Sequence, residues 1–229
     1  MKFSWMPIMG KMEKKKDVLI FKGGKIQYES EGVEKEGAEI GLFICDQKFS
    51  EGIISVDVKF KGSFDGSCAD LVLYYDPQSK NTLNAGIGNL QLFSIRHFET
   101  KWINHAVSGA PNLIEQNRNY HLEASLKGST VLLKSGGVEV LRHTLPFPLA
   151  QSQVGLFCVN QADIEFKNFN IKHMRPKAFV VMQFSSPYNE VYFEVIKTVC
   201  QQENIDVLRI DEESGPGLII QDMTRAIHE

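Results

Sequence analysis

The chain has 229 residues, 43% hydrophobic and 23% charged, with a formal net charge of −3. This composition supports a buried core and excludes the strongly basic surface that non-specific nucleic-acid binding requires. The length accommodates one large domain, or one domain with part of another.

Residues 1–10 form a short mixed segment, and the basic residues Lys11, Lys14, Lys15 and Lys16 follow it. A secretory signal has the opposite order, basic residues first and then a long apolar stretch. No apolar run reaches the length of a membrane span. The expectation is a cytoplasmic chain with no membrane partner. Cys45, Cys68, Cys158 and Cys200 form no CxxC pair, so no metal is expected. Cys45 and Cys158 lie in apolar runs and read as buried thiols of a reducing compartment.

From residue 18 to 171 the pattern is short apolar or alternating runs broken by Gly, Asn, Asp and Ser. The predicted strands are 39–45, 52–60, 69–75, 90–96, 120–126, 130–134, 138–143, 153–159 and 163–171. Alternation is clearest where Ile54, Val56, Val58 and Phe60 interleave with Ser55, Asp57 and Lys59, which puts one set on a buried face. Glycines in Lys127-Gly128-Ser129 and Ser135-Gly136-Gly137 supply hairpin turns, giving a three-strand meander from Tyr120 to His143. Nine such strands with no long helix predict an antiparallel β-sandwich or jelly roll. Glu34, Glu36 and Glu39 sit among glycines and lysine and read as a surface loop. Gly86-Ile87-Gly88 precedes a strand rather than a helix, so it lacks the context of a phosphate-binding loop.

The pattern changes at Arg175-Pro176-Lys177, which divides the chain into predicted domains of residues 1–174 and 175–229. Residues 178–184, AFVVMQF, are continuously apolar, as in a strand covered on both faces. Ser185, Ser186 and Pro187 are helix-start signals. Val191, Tyr192, Val195, Ile196, Val199 and Cys200 then recur at helical spacing, ending at Asn204. Residues 206–210 read as a second strand, Gly215-Pro216-Gly217 as a break, and 218–227 as a second helix. The β-α-β-α order predicts a partial parallel, flavodoxin-like α/β segment. Two parallel strands alone leave faces and edges to be covered by further strands or a partner chain.

FSEGIISVDVKF (49–60), ADLVLYYD (69–76), RNYHLEASLKGSTVLLKSGGVEVL (118–141) and QVGLFCVNQADIEFKNFNI (153–171) resemble the concanavalin A-like, laminin-G-like sandwich superfamily. That resemblance implies a domain that binds a glycan, small molecule or protein, or hydrolyses a glycan. Hydrolases of this kind carry three acidic residues on one strand, spaced E-x-D-x-x-E or E-x-D-x-E. This chain has no such spacing.

Residues 177–227, KAFVVMQFSSPYNEVYFEVIKTVCQQENIDVLRIDEESGPGLIIQDMTRAI, resemble the TIR-like and nucleoside deoxyribosyltransferase-like α/β families. Those families bind NAD or nucleosides at strand C-terminal ends and cleave the N-glycosidic bond. Several are effectors in bacterial defence against phage. The resemblance puts Phe184, Ser185 and Ser186 at the first strand–helix junction and Asp211 and Glu212 after the second strand, where open α/β sheets take ligands. Amides opening the first helix offer an anion site. The plainer reading makes Ser185 and Ser186 helix caps and Asp211 and Glu212 a polar turn. The families' catalytic glutamate lies in a segment similar to N-x-N-V-x-Y-E-L-G, which is missing from these residues, so this segment is expected to be inactive by itself.

In the sandwich, Trp102 is a candidate for stacking on a sugar ring, with Arg96 on the same surface. Core or loop packing is the plainer role for Trp102. His97 and His105 flank it without a third ligand at a metal spacing, and His121 and His143 lie on strands. The leading expectation is a regulatory protein, working as a homo-oligomer, in which the sandwich senses a ligand for a TIR-like effector handling NAD or a nucleoside. The alternatives are a glycan- or protein-binding module without enzymatic activity, and a sandwich glycosidase with carboxylates drawn from separate strands.

Overall fold

A computed structural model describes residues 3–30, 32–89, 91–111, 113–175, 177–203 and 205–209. The chain divides into two compact units, Met1–His173 and Met174–Glu229.

Among its described residues, the first unit is built entirely from antiparallel strands. In chain order they are β1 (Trp5–Met9), β2 (Met12–Lys15), β3 (Val18–Phe21), β4 (Lys25–Ser30) and β5 (Val33–Phe49). Then come β6 (Gly52–Phe60), β7 (Cys68–Tyr75), β8 (Thr82–Gly88), β9 (Phe93–Phe98) and β10 (Trp102–Ser108). The remainder are β11 (Asn119–Lys127), β12 (Thr130–Ser135), β13 (Val138–Thr144), β14 (Ser152–Asn160) and β15 (Ile164–His173). The larger sheet runs β1-β5-β14-β7-β8-β9-β10, with β4 paired to β5. The other runs β13-β12-β11-β6-β15-β3-β2.

The predicted sandwich is therefore present, and its core follows from the alternation. Ile54, Val56, Val58 and Phe60 of β6 are buried while the residues between them are only half-buried. Across from them Phe43, Leu71, Leu73, Leu83, Ile87, Ile95 and Leu156 project from the larger sheet into the same cluster. Gly128, Gly136 and Gly137 all take positive φ in the meander turns, the conformation that excludes most side chains. Cys45, Cys68 and Cys158 are free and buried.

Several sequence expectations are corrected. Glu34, Glu36 and Glu39 do not lie in a loop: they belong to β5, whose first half forms a hairpin with β4 in the register Lys25↔Ala38 to Ser30↔Val33. The hairpin's outward positions are charged, which hides it from a search for apolar alternation. Gly86 and Gly88 lie inside β8 rather than before a strand, and β10 falls in the polar stretch after it. The strand expected at 90–96 is instead Phe93–Phe98. β7 and β8 are buried on nearly every residue, because the outer face of the larger sheet carries a second cluster of Leu42, Ile44, Cys68, Val72, Tyr75 and Phe157.

In the second unit, β16 (Lys177–Val180) pairs in parallel with β17 (Asp206–Arg209). Between them the helical turns α1 (Tyr188–Glu190), a π-helix (Val191–Ile196) and α2 (Lys197–Gln202) follow one another without a break. The β-α-β order is present, but β16 is shorter than the expected 178–184. Two strands do not make a flavodoxin-like sheet, and none is shown among the described residues. The helix expected at 218–227 lies outside them. Of the apolar helical positions, Tyr192, Ile196 and Cys200 form the covered stripe, spaced four apart. Val191, Val195 and Val199 are exposed.

Candidate functional site

The strands at the centre of the larger sheet place polar residues on its outer face by simple alternation. Leu71 and Leu73 point to the core, so Asp70 and Val72 point out. Leu83, Ala85 and Ile87 do the same for Asn84 and Gly86, and Ile95 for Ser94 and Arg96. The registers align these residues in rows across the sheet. One row reads Leu42–Phe157–Asp70–Gly86–Ser94, and the next reads Ile44–Gly155–Val72–Asn84–Arg96–Asn104. Trp102 lies opposite Phe98 in the row beyond.

Arg96 and Asp70 form a buried ion pair. The guanidinium donates from Nη2 (2.7 Å) and Nε (3.2 Å) to Asp70 Oδ2, and from Nη2 to Cys68 Sγ (3.3 Å). Asn84 Nδ2 lies 3.4 Å from the same carboxylate oxygen. The guanidinium carbon sits 4.2 Å from the Trp102 ring centre and 5.6 Å from that of Phe157, a stacking that arginine's planar head favours. Burial pushes the Asp70 carboxyl up, against the opposing pull of Arg96. Burial also works to lower Arg96, but the Asp70 charge overrides it and holds the guanidinium protonated. Burial pushes the Cys68 thiol up to about 12, so Cys68 is not a nucleophile at neutral pH.

Gly86 makes the arrangement possible. A Cβ there would stand 2.4 Å from Asp70 Oδ1, Asp70 Cα and the Ala69 carbonyl oxygen. Three buried polar atoms around this floor have no hydrogen-bond partner: Asp70 Oδ1, Asn84 Oδ1 and Ser94 Oγ. Unpaired buried acceptors are costly and call for a specific explanation. The two rows contain a single carboxylate, Asp70. Glycosidase chemistry needs a pair flanking the scissile bond, and these rows do not supply it.

The structure brings together Trp102 and Arg96, the two candidates named in the sandwich. Arg96 is not a free surface cation, being 2% exposed, because Asp70 and the two rings enclose it. Gly86 was weighed only as part of a phosphate-loop pattern, and Asp70, Asn84 and Ser94 were not singled out from sequence. A polar residue between core residues in a strand was their only signal, and solvated positions give the same one.

Elsewhere, His97 Nδ1 lies 2.6 Å from His105 Nε2, and the His105 and His143 ring centres are 5.1 Å apart. Burial, then His97 and His143, hold His105 below the ordinary histidine range. No cluster suited to a metal ion occurs among the described residues. His121 is bonded to Asp57 at 2.6 Å.

In the second unit, Ser185 and Ser186 do not cap the helix with their side chains. The Ser185 carbonyl accepts from the Tyr188 and Asn189 amides, and the Ser186 hydroxyl donates to Glu190 at 2.9 Å. Glu190 thus places a carboxylate in the turn where an anion was expected. Phe184 is exposed and lies 5.4 Å from the Arg209 guanidinium, which also covers the Tyr192 ring at 4.2 Å. Asp211 and Glu212 lie outside the described residues. No helix among the described residues is long and apolar enough to cross a membrane.

No protein-family model matches the chain, and no curated protein matches it by sequence. Solved structures do share its fold. The carbohydrate-binding module CBM66 from Bacillus subtilis superposes with a TM-score of 0.58 at 17% identity, over 72% of this chain and 92% of that one. A lichenase derived from a mouse hindgut metagenome gives 0.53 at 10% identity, over 74% and 93%. The laminarinase catalytic domain of Thermotoga maritima gives 0.50 at 7%, over 74% and 91%. At these identities the likeness is one of fold: the first unit is an antiparallel β-sandwich of the kind these structures share. The TIR-like resemblance of residues 177–227 receives no support from these comparisons.

Proposed function

We propose that the sandwich is a carbohydrate-binding domain without hydrolytic activity, taking a sugar on the outer face of its larger sheet. The observation that carries this reading is the Trp102 ring, half-buried on that face and stacked on the buried Arg96 guanidinium. An aromatic ring suits the apolar face of a pyranose, while Asp70, Asn84 and Ser94 are fully buried and shape the floor of the face rather than touch the sugar. Trp102, half-buried, and Asn104, exposed, form the side on which the sugar enters. Arg96 acts as a positioning residue, since its hydrogen bonds go to Asp70 and Cys68. The single carboxylate of the two rows favours binding over hydrolysis. The fold shared with a carbohydrate-binding module supports the reading without specifying the sugar.

The test is calorimetric titration of the chain with neutral gluco- and fructo-oligosaccharides, with Trp102→Ala and Asn84→Ala as variants. Trp102→Ala is expected to weaken binding about thirtyfold or more, the loss typical of a central aromatic contact. Unchanged affinity in both variants, or no binding to any glycan, would sink the proposal.

A further inference from the structure

The basic run near the N-terminus has no part in the site above, yet the fold gives it a defined place. Trp5 of β1 pairs with Cys45, and Lys14 of β2 pairs with Leu19. Cys45 and Leu19 both belong to the core, and directly paired residues project from the same face of a sheet. Trp5, half-buried, and Lys14, exposed, therefore lie on the core-facing sides of edge strands of opposite sheets, at the open rim of the space between them. Phe169 reaches the same place through a bulge in β15, where Asn168 takes a φ of +53°. Bulges re-aim side chains in this way.

The Trp5 and Phe169 ring centres are 4.8 Å apart, and those of Phe3 and Phe169 are 5.2 Å apart, both edge to face. The three rings bound a cavity of about 440 Å³ whose wall also includes Lys14, Lys16 and Asp17. That volume lies within the range of small-molecule sites. Among the described residues, neither lysine has an acidic group within ion-pairing distance. Two ammonium groups against one carboxylate leave the wall net positive. An inward lysine on an edge strand also discourages edge-to-edge pairing. Phe3, Trp5 and Phe169 pack against the main core, and their half-buried outer parts line the cavity beside the lysines.

We infer that this cavity is a second carbohydrate subsite, selective for a sugar ring bearing a carboxylate or sulfate group. The aromatic rings meet the C–H faces of the sugar, and Lys14 and Lys16 take its anionic group. The inference rests on the carbohydrate-binding reading above and adds the charge class of the ligand.

The chain has two tryptophans, Trp5 and Trp102, so single-tryptophan variants report each site separately. In Trp102→Phe, emission comes from Trp5 at the proposed subsite. In Trp5→Phe it comes from Trp102 on the outer face. Each is titrated with oligogalacturonate, chondroitin sulfate oligosaccharides, neutral laminari-oligosaccharides and free sulfate. Acidic oligosaccharides are expected to shift Trp5 emission, with an affinity that falls as salt rises. Lys14→Gln/Lys16→Gln in the Trp102→Phe background is expected to weaken that binding roughly tenfold or more, with its thermal midpoint unchanged. Acidic sugars that leave Trp5 unmoved while neutral sugars shift Trp102 would overturn this inference and leave the outer-face reading standing. Indifference to the lysine substitutions would also overturn it, as would an equal response to free sulfate. Silence of both tryptophans toward every sugar would overturn both.

Discussion

Replacing Arg96 with Met tests the account of the outer face most directly. Met keeps much of the apolar stem but removes the cation that faces a carboxylate whose side chain is 0% exposed. Asp70 would keep only the Asn84 amide at 3.4 Å. Breaking one side of a buried pair costs about 3–5 kcal/mol, because a charge is left without compensation. For a domain of this size that is a fall in melting temperature of roughly 6–20 °C. The loss should depend on pH. Burial already pushes the Asp70 carboxyl up against the pull of Arg96, and in Arg96→Met that pull is gone. A carboxyl raised in the folded state contributes stability while protonated and loses it as pH rises from its unfolded value, about 3.9. Arg96→Met should therefore lie much closer to wild type at pH 4 than at pH 7. Urea unfolding followed by tryptophan emission at both pH values measures this. Asp70→Asn in the Arg96→Met background should recover more than half the loss at pH 7. An Arg96→Met chain within about 1 kcal/mol of wild type at pH 7, or a double variant no more stable than the single, would refute the reasoning.

Two further outcomes follow from the same structure. Gly86→Ala puts a Cβ 2.4 Å from backbone atoms of Ala69 and Asp70, so the strands must part; a loss of about 1–3 kcal/mol is expected by thermal circular dichroism. His105 is held below the ordinary histidine range by burial and by His97 and His143. Its unfolded form takes up a proton more readily, so stability should fall as pH drops below about 6.5. His105→Gln should flatten that dependence in melting curves taken from pH 7.5 to 5.5.

The sandwich was legible because its central strands carry their burial in their spelling. Ile54 to Phe60 alternate cleanly, and the glycines of the meander mark turns that require positive φ. The strands that escaped notice are those whose pattern is dictated by position in the sheet. β1 and β2 are edge strands with no fully buried residue, β4 lies in a charged hairpin, and β8 interleaves Leu83, Ala85 and Ile87 with Asn84, Gly86 and Gly88, residue types that equally mark turns.

The candidate site was legible only in part. Trp102 and Arg96 stand six residues apart in the chain and drew attention together. Asp70 and Asn84 are separated from Arg96 by 26 and 12 positions and meet it only through the register of β7, β8 and β9. Lys14 read as one of a basic run, and only its pairing with Leu19 puts it on the core-facing side of an edge strand. In the second unit, the β-α-β order could be read from apolar runs and breaks. The expected caps could not, because whether Ser186 bonds a backbone amide or Glu190 depends on how the chain enters its helix.

Composition, alternation and turn chemistry thus determined an antiparallel sandwich followed by a segment of different pattern, since burial periodicity is a local property of the chain. Which polar side chains share a face and which lysine lies on the core-facing side of its strand were decided by tertiary structure. Those relations depend on strand order and register, which arise from contacts between residues far apart in sequence.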